Sequence, residues 1–298
     1  MQTTKTNVLN HYLKYSKYTY SGTFNDYFKS LPNNVKELRM LVSEQHIHKF
    51  KLARTLSRDD IENNFEYLNC IDDSLDTATA MTNEIFRLNP KGFLLNKPLK
   101  EKIVTTCRYM SILFASILKA KGIPARCRAG FAPYIYEDYI VDHWVNEYFD
   151  SNLNKWIVID TQVQDSKKIF KQVDLCNLEK EFDYPAKLWL KARSGKLDNI
   201  DKYAKYSNEE NLQVIAKQLF LDFFSLMNYE LGYRHTPMFI YGNNFKNLTE
   251  KDFQEIDNLA NLMLNPDENF NKLKNIFETN KKFRVLRTTY VNPYTDWK

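Results

Sequence analysis

No stretch of this sequence is long and apolar enough to suggest a membrane span. The most apolar window, Met110 to Leu118, stops at Lys119, well short of the ~18 residues a spanning helix needs. The opening MQTTKTNVLNHYLKY has no continuous apolar core, so no secretory leader is expected and the expected location is the cytoplasm. Clustered charge is also missing. Lys and Arg number 42 against 37 Asp and Glu, and the longest basic runs are pairs such as Lys167-Lys168 and Lys281-Lys282. Nucleic-acid binders gather basic charge on one face, so neither nucleic acid nor a membrane is an expected partner.

Cysteine is scarce. Cys70, Cys107, Cys127 and Cys176 are far apart and form no CxxC pair, which argues against a disulfide framework or a zinc site. No metal and no cofactor are expected. Internal repeats and low-complexity tracts are lacking. What remains is ordinary globular material, 43% hydrophobic and 27% charged.

The period of the apolar residues changes along the chain. Asn33-Asn34 precede Val35, Leu38, Leu41 and Val42 at helical spacing. Asp72-Asp73 open a second expected helix through Phe86, ended by NPKG at 89–92. Residues 107–121 are apolar nearly all round, the mark of a buried helix, and Gly122 and Pro124 stop it. From Ala125 the period becomes two. Strands are expected at 126–135, 143–150 and 155–160, with 151–154 as a turn. Helical spacing returns at 186–193, 209–227, 250–263 (Thr249 as N-cap) and 267–278. Helices, one buried helix, an antiparallel meander and more helices make an α+β layout. We expect one domain over 1–298, with a helical region at 1–95, a core at 96–166 and a helical region at 167–298.

Chemistry is most concentrated in DHWVNEYFDSNLNKWIVID, residues 142–160. His143 sits at one mouth of a hairpin and Asp160 at the other. A two-residue turn puts them directly opposite. A four-residue turn at 151–154 makes them diagonal neighbours on one face, ~7–8 Å apart. An odd turn without a bulge separates them. Cys107 supplies a nucleophile. Thr105-Thr106 precede it, and Thr is a good N-cap. A cysteine in the first turn of a helix is favoured as thiolate by the dipole and the free N–H groups, which also suit an oxyanion. Cys127 alternates between Arg126 and Arg128 and reads as core. His46 and His48, two apart on an expected helix, face different ways. His235, in GYRHTP, is a loop residue that could line a cleft.

These segments carry a resemblance. TTCRYMSILFASILKAKGIPARCRAGF, then DHWVNEYFD, then KWIVIDTQ resemble the core of the transglutaminase-like superfamily. There a Cys begins a buried helix, a His begins the next strand and an Asp ends the strand after it. The matching positions here are Cys107, His143 and Asp160. The sequence is most similar to a bacterial group of stand-alone proteins whose helix opens CRD. LFLDFFSLMNYE and LTEKDFQEIDNLANLMLNPDE extend the likeness over about 100–290. Tyr109 departs from the acidic residue usual in that group, and Thr106 from a small residue or Asn.

The resemblance implies a papain-like triad on a cysteine-proteinase-like α+β fold, with the buried helix packed on an antiparallel sheet. It implies acyl transfer at an amide of a peptide, protein or small molecule. Cys107 attacks, His143 moves the proton, Asp160 holds the imidazole, and a thioester forms. Water as acceptor gives a peptidase, amidase or deamidase. An amine acceptor gives a transglutaminase or a biosynthetic acyltransferase. A third reading keeps the fold as a non-catalytic binding module. No acidic calcium loop is present, so calcium dependence is not expected. For an oxyanion or substrate side chain the candidates are Gln162, on the face of Asp160, and Asn96, upstream of the cysteine.

Overall fold

The computed structural model describes residues 2–49, 51, 52, 56–64, 75–163, 169–203, 205, 207 and 209–285. In chain order these form α1 (Gln2–Leu13), α2 (Asn25–Ser30), α3 (Val35–Glu44), β1 (His46–His48), α4 (Arg58–Asn64), α5 (Ala78–Leu88), β2 (Ile103–Thr105), α6 (Cys107–Ala120), β3 (Ala125–Ala132), β4 (Val141–Asp150) and β5 (Lys155–Ile159). After them come α7 (Pro185–Arg193), α8 (Ile200–Tyr203), α9 (Asn211–Leu226), α10 (Glu250–Met263) and α11 (Phe270–Thr279). Short 3-10 turns join several of them.

The expected α+β layout is present. β3, β4 and β5 form an antiparallel meander in that order, and β1 pairs with β2 in a separate parallel ribbon. α6 packs on β3 and β4, with α2, α3 and α5 against its other side. Every residue from Cys107 to Lys119 is therefore buried, as an all-round apolar helix requires. α9 covers β3 from its own flank. Its Asp222 takes a bidentate pair from Arg128 Nε and the second terminal nitrogen, both 2.8 Å. Arg128 also reaches Glu147 at 2.8 Å, and Arg126 joins Glu147. These buried charges are satisfied by one another, the condition under which a core tolerates them.

Local signals account for the ends of the elements. Asn34 caps α3, accepting from the N–H groups of Lys36 and Glu37. Thr249 and Asp252 close a capping box on α10. α6 ends in a Schellman turn: Gly122, at φ +74°, lets Ile123 N–H reach the Leu118 carbonyl at 2.9 Å. β3 stops at Ala132, earlier than the period suggested, because Pro133 has no N–H to continue the ladder. Asp72 and Asp73 lie outside the described residues, but the helix expected from them begins only at Ala78: residues 75–77 are not helical, and Thr77 caps α5 by accepting from the Ala80 N–H.

The hairpin takes the four-residue turn. Asp150 pairs with Lys155 and Asn146 with Ile159. Asn154 turns the chain at φ +53°. The correction falls on residues 46–48. They are a strand and not the continuation of α3, and β1 lies beside β2 with His46 against Ile103 and His48 against Thr105. In a strand, residues two apart share a face.

Candidate active site

Cys107 is the first residue of α6, directly after β2. Thr106 occupies the N-cap position in extended geometry, yet its hydroxyl makes no capping bond. The Tyr109 and Met110 N–H groups turn to the Thr106 carbonyl, and the first N–H groups of the helix keep no side-chain partner from Thr106. Ser111 Oγ donates to the Val145 carbonyl and Asn146 Nδ2 to the Ser111 carbonyl, both 2.9 Å. This pair of bonds fixes α6 on the strand that carries His143.

His143 Nε2 lies 2.8 Å from Asp160 Oδ2, so Nδ1 is the ring nitrogen left for Cys107. Asp160 ends the hairpin and is held on all sides. Tyr134 Oη donates to Oδ2 at 2.7 Å. The Gln162 N–H donates to Oδ1 at 2.7 Å. Arg39 of α3 donates to the Asp160 carbonyl at 2.5 Å. Cys107, His143 and Asp160 are 4%, 2% and 0% exposed, so little water screens their charges.

The electrostatics follow from these contacts. Burial opposes a thiolate at Cys107, but hydrogen bonds from His143 and then His48 outweigh it, and the thiol is pulled well below its usual range. Burial opposes an imidazolium at His143, but the Asp160 charge and hydrogen bond, then Cys107, push it up. Asp160 is held down to about 2 by His143 and Tyr134 against its own burial. All three directions favour a thiolate–imidazolium pair backed by a carboxylate. Cys127 is the contrast: burial, then the Glu230 charge, push its thiol up to about 12.

Two further groups meet the sulfur. His48 reaches it from β1. Tyr233, in the loop after α9, puts its hydroxyl 3.0 Å from Sγ. That loop is clamped by Arg108, whose Nε donates to the Glu230 carbonyl at 2.9 Å. His46 sits behind, Nδ1 against Thr105 Oγ1 at 2.8 Å. Burial and then the charge of Lys97 lower it to about 3, so it is neutral.

A cavity of about 860 Å³ opens over these groups, lined among others by Cys107, His143, His48, Thr106, Gln162 and Tyr233. Gln162 is thus brought to the site. Asn96 is not: it is exposed, at φ +55° in a turn, and does not line the cavity. His235 is exposed and does not line it either. Cys70 lies outside the described residues. Among the described residues no group of three or more His, Cys, Asp or Glu is placed to hold a metal ion.

A family model, that of the transglutaminase-like superfamily, matches residues 61–161. Over that segment the chain is similar to the transglutaminase-like core. Cys107, His143 and Asp160 all fall inside the matched segment, whereas His48 and Tyr233 lie before and after it. No curated protein and no solved structure matches the chain. The superfamily is generally one of cysteine-dependent enzymes. Among the described residues no helix is long and apolar enough to cross a membrane.

Proposed function

We propose that this protein is a cysteine-dependent acyl-transfer enzyme that opens an amide bond through a thioester on Cys107, with water as the usual acceptor. One observation carries the reading. His143 joins Cys107 to a carboxylate, Asp160, that is itself fully hydrogen-bonded, and two members of this chain line one cavity.

The steps follow from the charges. The Cys107 thiolate attacks the carbonyl carbon, and the electron pair moves to oxygen. The α6 N–H groups and the ring N–H of His48 are the donors available to that oxyanion. The intermediate collapses, the C–N bond breaks, and the imidazolium gives its proton to the leaving amine. Asp160 keeps the ring oriented throughout. Neutral His143 then takes a proton from water as it attacks the thioester. The acid leaves and the thiolate returns. An amine in place of water gives transfer by the same steps.

The test is pH-dependent alkylation of the native protein with iodoacetamide, mapping the modified cysteine by mass spectrometry. Selective labelling of Cys107 well below ~8.5, the midpoint of a free thiol, and its loss in His143→Ala, is expected. A Cys107 that reacts only at alkaline pH, like an ordinary thiol, would sink the reading in favour of a binding module.

A further inference from the structure

The wall of the cavity away from the sulfur is built for something other than a polar side chain. α9 presents Val214, Lys217, Gln218 and Leu221 to it, at i, i+3, i+4 and i+7, one stripe of the helix. The β3–β4 connection presents Ile135 and Ile140 from the other side. Lys217 is neutralised by Glu209, 2.8 Å away. Lys51 and Lys205 are exposed and belong to the mouth, while Lys49 beside them is half-buried. Gln218 brings one buried amide to this stripe, 5% exposed and with Oε1 unpartnered; around it the inner wall is hydrocarbon, with Met110 at the foot of α6 and Leu221 on α9 2% and 1% exposed.

A volume of about 860 Å³ lies within the roughly 300–1,000 Å³ of small-molecule sites. A carboxamide on a short side chain of a folded protein fills little of it and gains little from aliphatic walls. We infer that the cavity is an acyl pocket and that the substrate is a small acyl donor whose acyl group is a hydrocarbon chain, bound along Val214 and Leu221 with its carbonyl at Cys107. The inference rests on the proposed function and names the substrate class of that site.

The experiment uses p-nitrophenyl esters of acetate, butyrate, hexanoate and octanoate with the full-length protein. Cys107 attacks the ester carbonyl, the C–O bond breaks, p-nitrophenolate leaves with the electron pair, and the acyl thioester forms. The acylation rate constant should rise along the series, by up to about fourfold per methylene where burial is complete. A small free thiol supplies the baseline, with no such rise. In Val214→Trp, which fills the pocket, the octanoate-to-acetate ratio should fall by at least about tenfold, and Leu221→Phe should lower it in the same direction. A series that stays flat while Cys107 is acylated overturns the acyl pocket and leaves the enzyme reading standing. A rising series indifferent to both substitutions overturns it too, since the chain then binds elsewhere. A Cys107 inert to every ester and to iodoacetamide removes the enzyme reading and the pocket with it.

Discussion

Ser111 donates a hydrogen bond from its side chain to the main-chain carbonyl of Val145, one turn beyond Cys107 on α6 and two residues beyond His143 on β4. Asn146 returns the bond to Ser111. The distance between Cys107 and His143 is thereby set by backbone contacts inside the core, where a low-dielectric surround strengthens each bond. The reacting side chains hang from a frame that does not depend on them.

His48 is the second imidazole on the sulfur. His48→Ala should raise the midpoint of Cys107 alkylation, by less than His143→Ala does, because the contact with His143 lowers the thiol more. Each unit of that midpoint is about tenfold in thiolate at a fixed acid pH. Alkylation rates from pH 5 to 9 on both variants give the ranking.

Asp160 acts through the ring of His143. Asp160→Asn should cut acylation by about 10²–10⁴-fold through loss of the imidazolium partner. Tyr134→Phe removes only one of the bonds to Asp160, at 2.7 Å, worth roughly 1–3 kcal/mol when left unmade in a buried site. Its effect on acylation should be far smaller, and pre-steady-state release of p-nitrophenolate separates the two.

Glu147 predicts the response to acid. Burial raises it, but Arg126 and Arg128 hold it down at about 2, against the ordinary 4.5 of a glutamate. The stabilisation is complete above the unfolded pKa and is lost as the pH falls toward about 2, an effect of roughly 3 kcal/mol for this group alone. Urea midpoints should therefore decline between pH 5 and 2. In Glu147→Gln the decline should be shallower from a lower starting stability, since Arg126 and Arg128 lose their shared partner.

Gly130 stands opposite His143 in the β3–β4 ladder. A Cβ there would meet the Asp183 carbonyl oxygen at 2.6 Å and the Phe182 ring at 2.7 Å. Gly130→Ala should cost about 1–3 kcal/mol as the chain at Phe182–Asp183 is pushed off β3. A melting curve measures it, and a parallel loss of acylation shows the strand under His143 shifting.

The meeting of Cys107, His143 and Asp160 was legible because each is tied to a local signal. α6 announces itself by its all-round apolarity, with Thr106 and Gly122 at its ends. The alternation of 143–150 and 155–159 places His143 and Asp160 on one face for any even turn. His48 was illegible because β1 is three residues long, too short to show a period, and exists through pairing with β2, residues 103–105. α3 ends at Glu44 with no glycine or proline to mark the stop. Tyr233 lies in an irregular loop whose position is set by Arg108 and the end of α9, contacts no local pattern encodes. Asn96 is a side-chain amide upstream of Cys107 in sequence but not close to it, and its turn at φ +55° leaves it exposed to solvent.

Cys107 precedes His143, Asp160 and Tyr233 in the chain. On a ribosome adding roughly 5–20 residues per second, the thiol emerges seconds before His143, the imidazole that lowers it most. Until the hairpin closes on α6 it is a plain, protonated cysteine, no more dangerous to nearby amides than Cys127. Chemical aggression is thus withheld from the nascent chain and conferred by completion of the fold. If the proposed acyl transfer is this protein's reaction, the order of residues along the polypeptide serves as a safety catch on it.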